Sequence, residues 1–175
     1  MVKTSKKRIL FVVTLPPPVH GMSMVNYQIQ QSSRVKSEFE CQFVNLSASR
    51  TLGEIGKGGL CSIIRKGMRV AGSLFGTLYE LIFFRPDVCY LTITCHGKAF
   101  LKDFPFVILC KLFCRRIVIH QHNRGMSAYV HRLPYQWLLP LVYRNTIVVL
   151  LSWALYDDIS EIVRREQVRI CPNGI

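Results

Sequence analysis

Six short apolar runs, separated by stretches of helical periodicity, leave this chain very few architectures. Arg8 to Thr14 (RILFVVT) is a continuous apolar run of strand length, the pattern of a strand buried on both faces. Glu40 to Leu46, Asp87 to Thr94, Arg116 to Gln121, Thr146 to Leu151 and Gln167 to Cys171 complete a set of six predicted strands. Helices are expected between them. Ser23 is placed to cap the first, which runs to about Ser33. Leu60, Ile64, Met68, Ala71, Phe75, Leu78 and Ile82 step by four and three along a second, which Arg85-Pro86 ends. Others cover Lys98 to Cys114, about Ala128 to Tyr143, and Ser152 to Glu166 with Ser152 as cap. Ser47 to Gly59, rich in Gly, Ser and Thr, reads as a loop. Alternating apolar strands and amphipathic helices imply a Rossmann-like α/β domain spanning residues 1–175, its doubly wound parallel sheet of about six strands covered on both faces.

Half of the residues are apolar and 19% are charged, which excludes intrinsic disorder. The charge is lopsided: 23 Lys and Arg against 10 Asp and Glu give +13, with +7 in residues 1–87 and +6 in 88–175. An excess spread this evenly suits an anionic partner, either nucleic acid or a phospholipid leaflet. The seven cysteines are odd in number and mostly sit within apolar runs, so they read as reduced core residues of a cytoplasmic protein. Cys110 and Cys114 share a helix face, but no paired Cys/His set lies near them, so no metal is expected. The basic start, Met1 to Arg8, leads into only five apolar residues, shorter than a signal peptide requires. Leu133 to Tyr156, the longest weakly charged stretch, is broken by two prolines and an Asn and does not read as a membrane span.

In doubly wound folds ligands sit beyond the carboxyl ends of the strands. After the first strand comes PPPVHGMS, where Gly21 precedes a helix start that favours a phosphate. It is neither G-x-G-x-x-G nor a P-loop. After the third strand stand Thr94, Cys95 and His96, and after the fourth His120-Gln121-His122-Asn123-Arg124-Gly125. Residues i and i+2 of a strand share a face, so His120 and His122 come together. Three readings stay open: a histidine contacting a sugar or acting as base beside Arg124, a His-x-His metal pair, or polar residues that merely finish a buried strand.

PPPVHGMS, YLTIT followed by FLKDF, RIVIHQHNRG, TIVVLLSWALYDDI and VRICPNGI, in that order and spacing, resemble the N-terminal domain of retaining GT-B glycosyltransferases, most closely glycosyltransferase family 4. The resemblance runs from Arg8 to Ile175 and implies half of a two-domain hexosyltransferase. Such an enzyme moves sugar from a nucleotide-sugar to a glycan or lipid-linked acceptor in cell-surface polysaccharide or glycolipid synthesis, without a metal or other cofactor. It implies a donor-phosphate loop at Gly21 and Ser23, with Met22 where a second glycine is usual. It implies a sugar-contacting His122 with His120 as fallback, and acceptor-side His96, Asp103 and Arg124. Asn173-Gly174 resembles the crossover to a C-terminal donor domain, which would be absent here or supplied by a separate chain. The family's Glu-x7-Glu pair is missing; Asp158 and Glu166 have the spacing but read as a solvated helix face. The alternative is a non-catalytic, membrane-docking acceptor-binding subunit or remnant.

Arg65, Lys66 and Arg69 cluster on one face of the 60–82 helix, and Lys111, Arg115 and Arg116 gather at the end of the next. A core-facing helix with a solvated basic face is one explanation. The other is docking at the inner membrane face, with cations on headgroups and apolar residues dipping in. Nucleic acid is not expected, since no recognised motif is present and the strand ends are not Arg-rich.

Overall fold

The computed structural model describes residues 6–47 and 59–172. The predicted 47–59 loop (beyond its ends), the basic residues before Lys6 and the Asn173-Gly174 crossover lie outside them. Six parallel strands, β1 (Lys7–Val13), β2 (Phe39–Asn45), β3 (Val88–Thr92), β4 (Ile117–Gln121), β5 (Ile147–Leu150) and β6 (Val168–Ile170), form one sheet in the order β2-β1-β3-β4-β5-β6. Helices α1 (Gly21–Gln31), α2 (Ser33–Glu38), α3 (Leu60–Phe83), α4 (Gly97–Phe113) and α5 (Tyr135–Tyr143) flank it, so the expected Rossmann-like α/β class holds. No helix among the described residues is long and apolar enough to cross a membrane.

The two sheet faces are covered unequally. Leu10, Val12, Leu91, Ile119, Val148 and Leu150 point one way and are fully buried in the main core with α4, α5 and the tip of α3. α3, α4 and α5 lie on the connections from β2 to β3, β3 to β4 and β4 to β5, each stepping the same way through the sheet, and right-handed crossovers put all three helices on this one face. Only the β1-to-β2 connection, through α1, runs over the other. There Phe11 stacks on Phe43 at 4.6 Å and leans on Tyr90, but Val118 and Val149 are only half buried and Ile147 is exposed.

Three expectations are corrected. The 60–82 stripe does not face the core: Leu60 and Phe75 are each 73% exposed and Met68 64%. α3 packs through a different, narrower set of residues, Val70, Leu74, Thr77 and Leu81, and its only fully buried residues lie in its second half. A hydrophobic stripe marks amphipathicity; which arc a helix buries depends on where the crossover lands it. Second, Ser152–Glu166 is not a helix but a chain of turns between 3-10 segments at Trp153–Leu155 and Arg165–Gln167, and the Ser152 side chain caps nothing. Within these turns the Asp158 carboxylate reaches across to another loop. Third, α5 begins at Tyr135 rather than near Ala128, because Pro134 stands at its cap position and the preceding residues form turns. Of the cysteines, Cys89, Cys95, Cys110 and Cys114 are buried as expected, Cys41 is half-buried, and Cys61 and Cys171 are exposed. Lys111 is not simply a surface cation: its Nζ donates to Leu141 O and Arg144 O, closing the end of α5.

Candidate functional site

The strand order reverses between β1 and β3, since β1 leads left to β2 while β3 lies to its right; this is the topological switch point, where a crevice opens beyond the strand ends. Asn26 of α1 spans it. Its Nδ2 donates to Thr14 O (2.9 Å) and Thr92 Oγ1 (3.0 Å), tying the carboxyl ends of the two strands together, while its buried Oδ1 has no partner among the described residues. Nothing in the sequence singled out Asn26, because an Asn on a helix ordinarily faces water.

Thr92 is paired with His120 across the β3–β4 ladder, so both side chains project to the α1 face. His120 and His122 come together as expected, with ring centroids 4.0 Å apart. The Tyr90 hydroxyl meets His120 Nδ1. When the phenol, whose pKa burial raises, donates to Nδ1, the His120 proton sits on Nε2. Burial, reinforced by His122, pushes His120 down to about 4, and burial lowers His122 too. At neutral pH both rings are uncharged. Their Nε2 atoms are buried without partners among the described residues, and so is Asn26 Oδ1. These three buried polar atoms, one on α1 and two at the carboxyl end of β4, are left open to water or a polar ligand.

A pH prediction arises here. The folded-state pKa of His120 lies below the ordinary 6.5, so its contribution to stability is present above that value and is lost as pH falls through about 4. Denaturant midpoints should therefore drop between pH 7 and 5, with imidazole nitrogen shifts showing His120 neutral throughout. A His120 titration near 6.5 would exclude the buried tautomer.

The loop after β4 is set by Asp158. Its Oδ2 accepts from the amides of Gly125 (2.8 Å) and Met126 (2.9 Å), and its Oδ1 from Ser127 N (3.3 Å) and Oγ (2.8 Å). Asp158 is thus buried and anchoring, not part of a solvated face, whereas Glu166 is exposed. Successive amides of this kind form a nest for an anion, and here the chain's own carboxylate fills it. Gly125 has φ +120°, and a Cβ there would fall 3.1 Å from the His96 ring, which stacks on Tyr129.

The remaining predicted residues are placed as follows. Gly21 begins α1 in open space with no positive φ, so neither sterics nor backbone requires glycine there. The cap of α1 is His20, not Ser23: His20 Nδ1 accepts from Ser23 N, and the buried Ser23 hydroxyl accepts from His20 N and lies against the Pro18 and His20 carbonyls. Asp103 is buried, paired with Lys102, and accepts from Thr94 N at 3.1 Å; it fixes the loop after β3. Burial raises its pKa against the pull of Lys102. Arg124 and Arg65 are exposed, and Lys66 and Arg69 are half-buried. Among the described residues no group of three or more His, Cys, Asp or Glu could hold a metal ion. A cleft of about 610 Å³ lies between β2 and α3, lined in part by Asn45, Arg69, Gly72 and Tyr79. No family model matches the chain, and no curated protein or solved structure does either.

Proposed function

We propose that this domain is the acceptor-side half of a GT-B-type glycosyltransferase, transferring sugar from a nucleotide-sugar to a glycan or lipid-linked acceptor together with a donor-binding domain. The observation that carries the reading is the pair of neutral imidazoles at the carboxyl end of β4, their buried Nε2 atoms unpartnered, beside the switch-point Asn26. Uncharged donors and acceptors suit sugar hydroxyls, which are themselves neutral. A base with a pKa near 4 is poorly matched to proton abstraction at pH 7, so His120 acts by hydrogen bonding and positioning. His122, the less buried of the two, is the contact residue, and His120, bonded to Tyr90, packs against its ring.

The second reading, a non-catalytic acceptor-binding module, draws on one specific observation: in the loop after β1 the Ser23 amide is already bound by His20 Nδ1, and neither sterics nor backbone requires glycine at Gly21. Transfer assays separate the two. The chain combined with a donor-binding domain should turn over nucleotide-sugar, and His122→Ala should lower that activity by about tenfold or more, equivalent to the loss of one well-made hydrogen bond. Unchanged activity in His122→Ala would remove that residue from the site. Robust transfer by the 175-residue chain alone would rule out the half-enzyme, and saccharide binding without transfer in any combination would favour the module.

A further inference from the structure

The outward sides of α3 and α4 present large apolar residues to solvent. At 100° per residue, Leu60, Ile64, Met68 and Phe75 fall within one arc of about 80° on α3. All four are more than half exposed, on an arc distinct from the one carrying Leu74, Thr77 and Leu81 into the core. On the neighbouring α4, Leu101, Pro105 and Leu112 stand opposite the buried Phe100, Val107 and Cys110, and Leu112 is 74% exposed. Scattered exposed apolar residues are ordinary, but two adjacent helices with apolar outer sides mark a docking surface.

The surrounding charge identifies what docks. Residues 60–83 and 97–116 hold eight Lys or Arg against two acidic residues, Glu80 and Asp103, and Asp103 is buried against Lys102. Arg65 is exposed next to the apolar arc near the carboxyl edge of the sheet; Arg115 and Arg116 are exposed beyond the end of α4 near the amino edge. A second copy would bring the same positive charge to the same face, and a nucleic acid would leave the apolar arc in water. An anionic bilayer surface satisfies both components.

We propose that the outer face of α3 and α4 docks this domain on an anionic phospholipid leaflet, with Leu60, Met68 and Phe75 in the acyl boundary and Arg65, Arg115 and Arg116 on headgroup phosphates. This surface is separate from the histidine site, so the docking stands or falls independently of sugar transfer.

The test is co-sedimentation of the whole chain with vesicles of phosphatidylcholine alone or with about one-third phosphatidylglycerol. Binding is expected to the anionic vesicles, weak binding to the neutral ones, and a loss of at least tenfold when salt is raised to about 0.5 M. Arg65→Glu with Arg115→Glu and Arg116→Glu should cut the partition coefficient by about 100-fold or more, near fivefold per cation removed before counting the added repulsion. Met68→Ser with Phe75→Ser should weaken binding by at least tenfold at low salt; these side chains touch little of the core, and circular dichroism checks the fold. Equal binding to both vesicle types, or no binding by the wild-type chain, overturns the proposal without needing any variant. Salt-sensitive binding indifferent to the Met68 and Phe75 changes overturns it in favour of a polyanion site. A dimer abolished by those changes, with no vesicle binding, assigns the face to a second copy.

Discussion

Asp158→Ala should destabilise the domain by about 3–5 kcal/mol, because it removes a buried acceptor of four hydrogen bonds and leaves three amides with nothing to bind. At this chain length that is a fall of roughly 10 °C in Tm. Asp158→Asn, which keeps one acceptor oxygen but turns an NH2 toward the donors, should lie between. The effect depends on pH in a defined direction. Burial alone would raise the Asp158 pKa, but the amides of Met126, Gly125 and Ser127, with the Ser127 hydroxyl, outweigh it and hold the carboxyl below its ordinary value. Its stabilising contribution is therefore present above about pH 4 and is lost as pH falls through the depressed native value. Thermal melts of wild type and Asp158→Ala should converge in strong acid. A Tm change under about 2 °C at pH 7 would mean that the loop after β4 holds itself.

Gly125→Ala should cost about 2–4 kcal/mol through two separable causes. The residue sits at φ +120°, where a side chain is strained by roughly 1–3 kcal/mol. Its new Cβ would also press on His96, 3.1 Å from Cε1 and 3.2 Å from Nδ1, and displace the ring from Tyr129. Adding His96→Ala removes the collision but not the backbone strain, so the double variant should recover part of the loss relative to the single changes. If denaturant midpoints show no such coupling, the ring contact contributes nothing. Because the Gly125 amide donates to Asp158, the effects of Gly125→Ala and Asp158→Ala should not add.

These two positions mark the boundary of what the sequence reveals. The strands were legible because a run such as RILFVVT can satisfy its backbone and bury both faces only inside a parallel sheet. His120 and His122 were legible because the two-residue strand repeat is rigid. Local periodicity assigns YDDI to a helix, and the partners that make Asp158 an anchor lie over thirty residues away, where no local pattern reaches. The amphipathic character of α3 was plain, but its orientation was not, since periodicity locates a stripe without saying what faces it. Asn26 left no local signal at all, because its importance comes from two strand ends that meet only in the folded sheet.

The strand order also bears on how the chain assembles. β3 pairs with β4 across 28 residues (Cys89 with Ile117), whereas β1 meets β3 across 79 (Ile9 with Val88). Closing the longer loop costs about 1 kcal/mol more entropy before any contact compensates it. Every other pairing in the sheet closes across 32 residues or fewer, so β1 with β3 is the one costly closure. The crevice that Asn26 spans is then a seam: the candidate ligand site lies at the sheet's most distant pairing in sequence, and it is complete only when that pairing has formed.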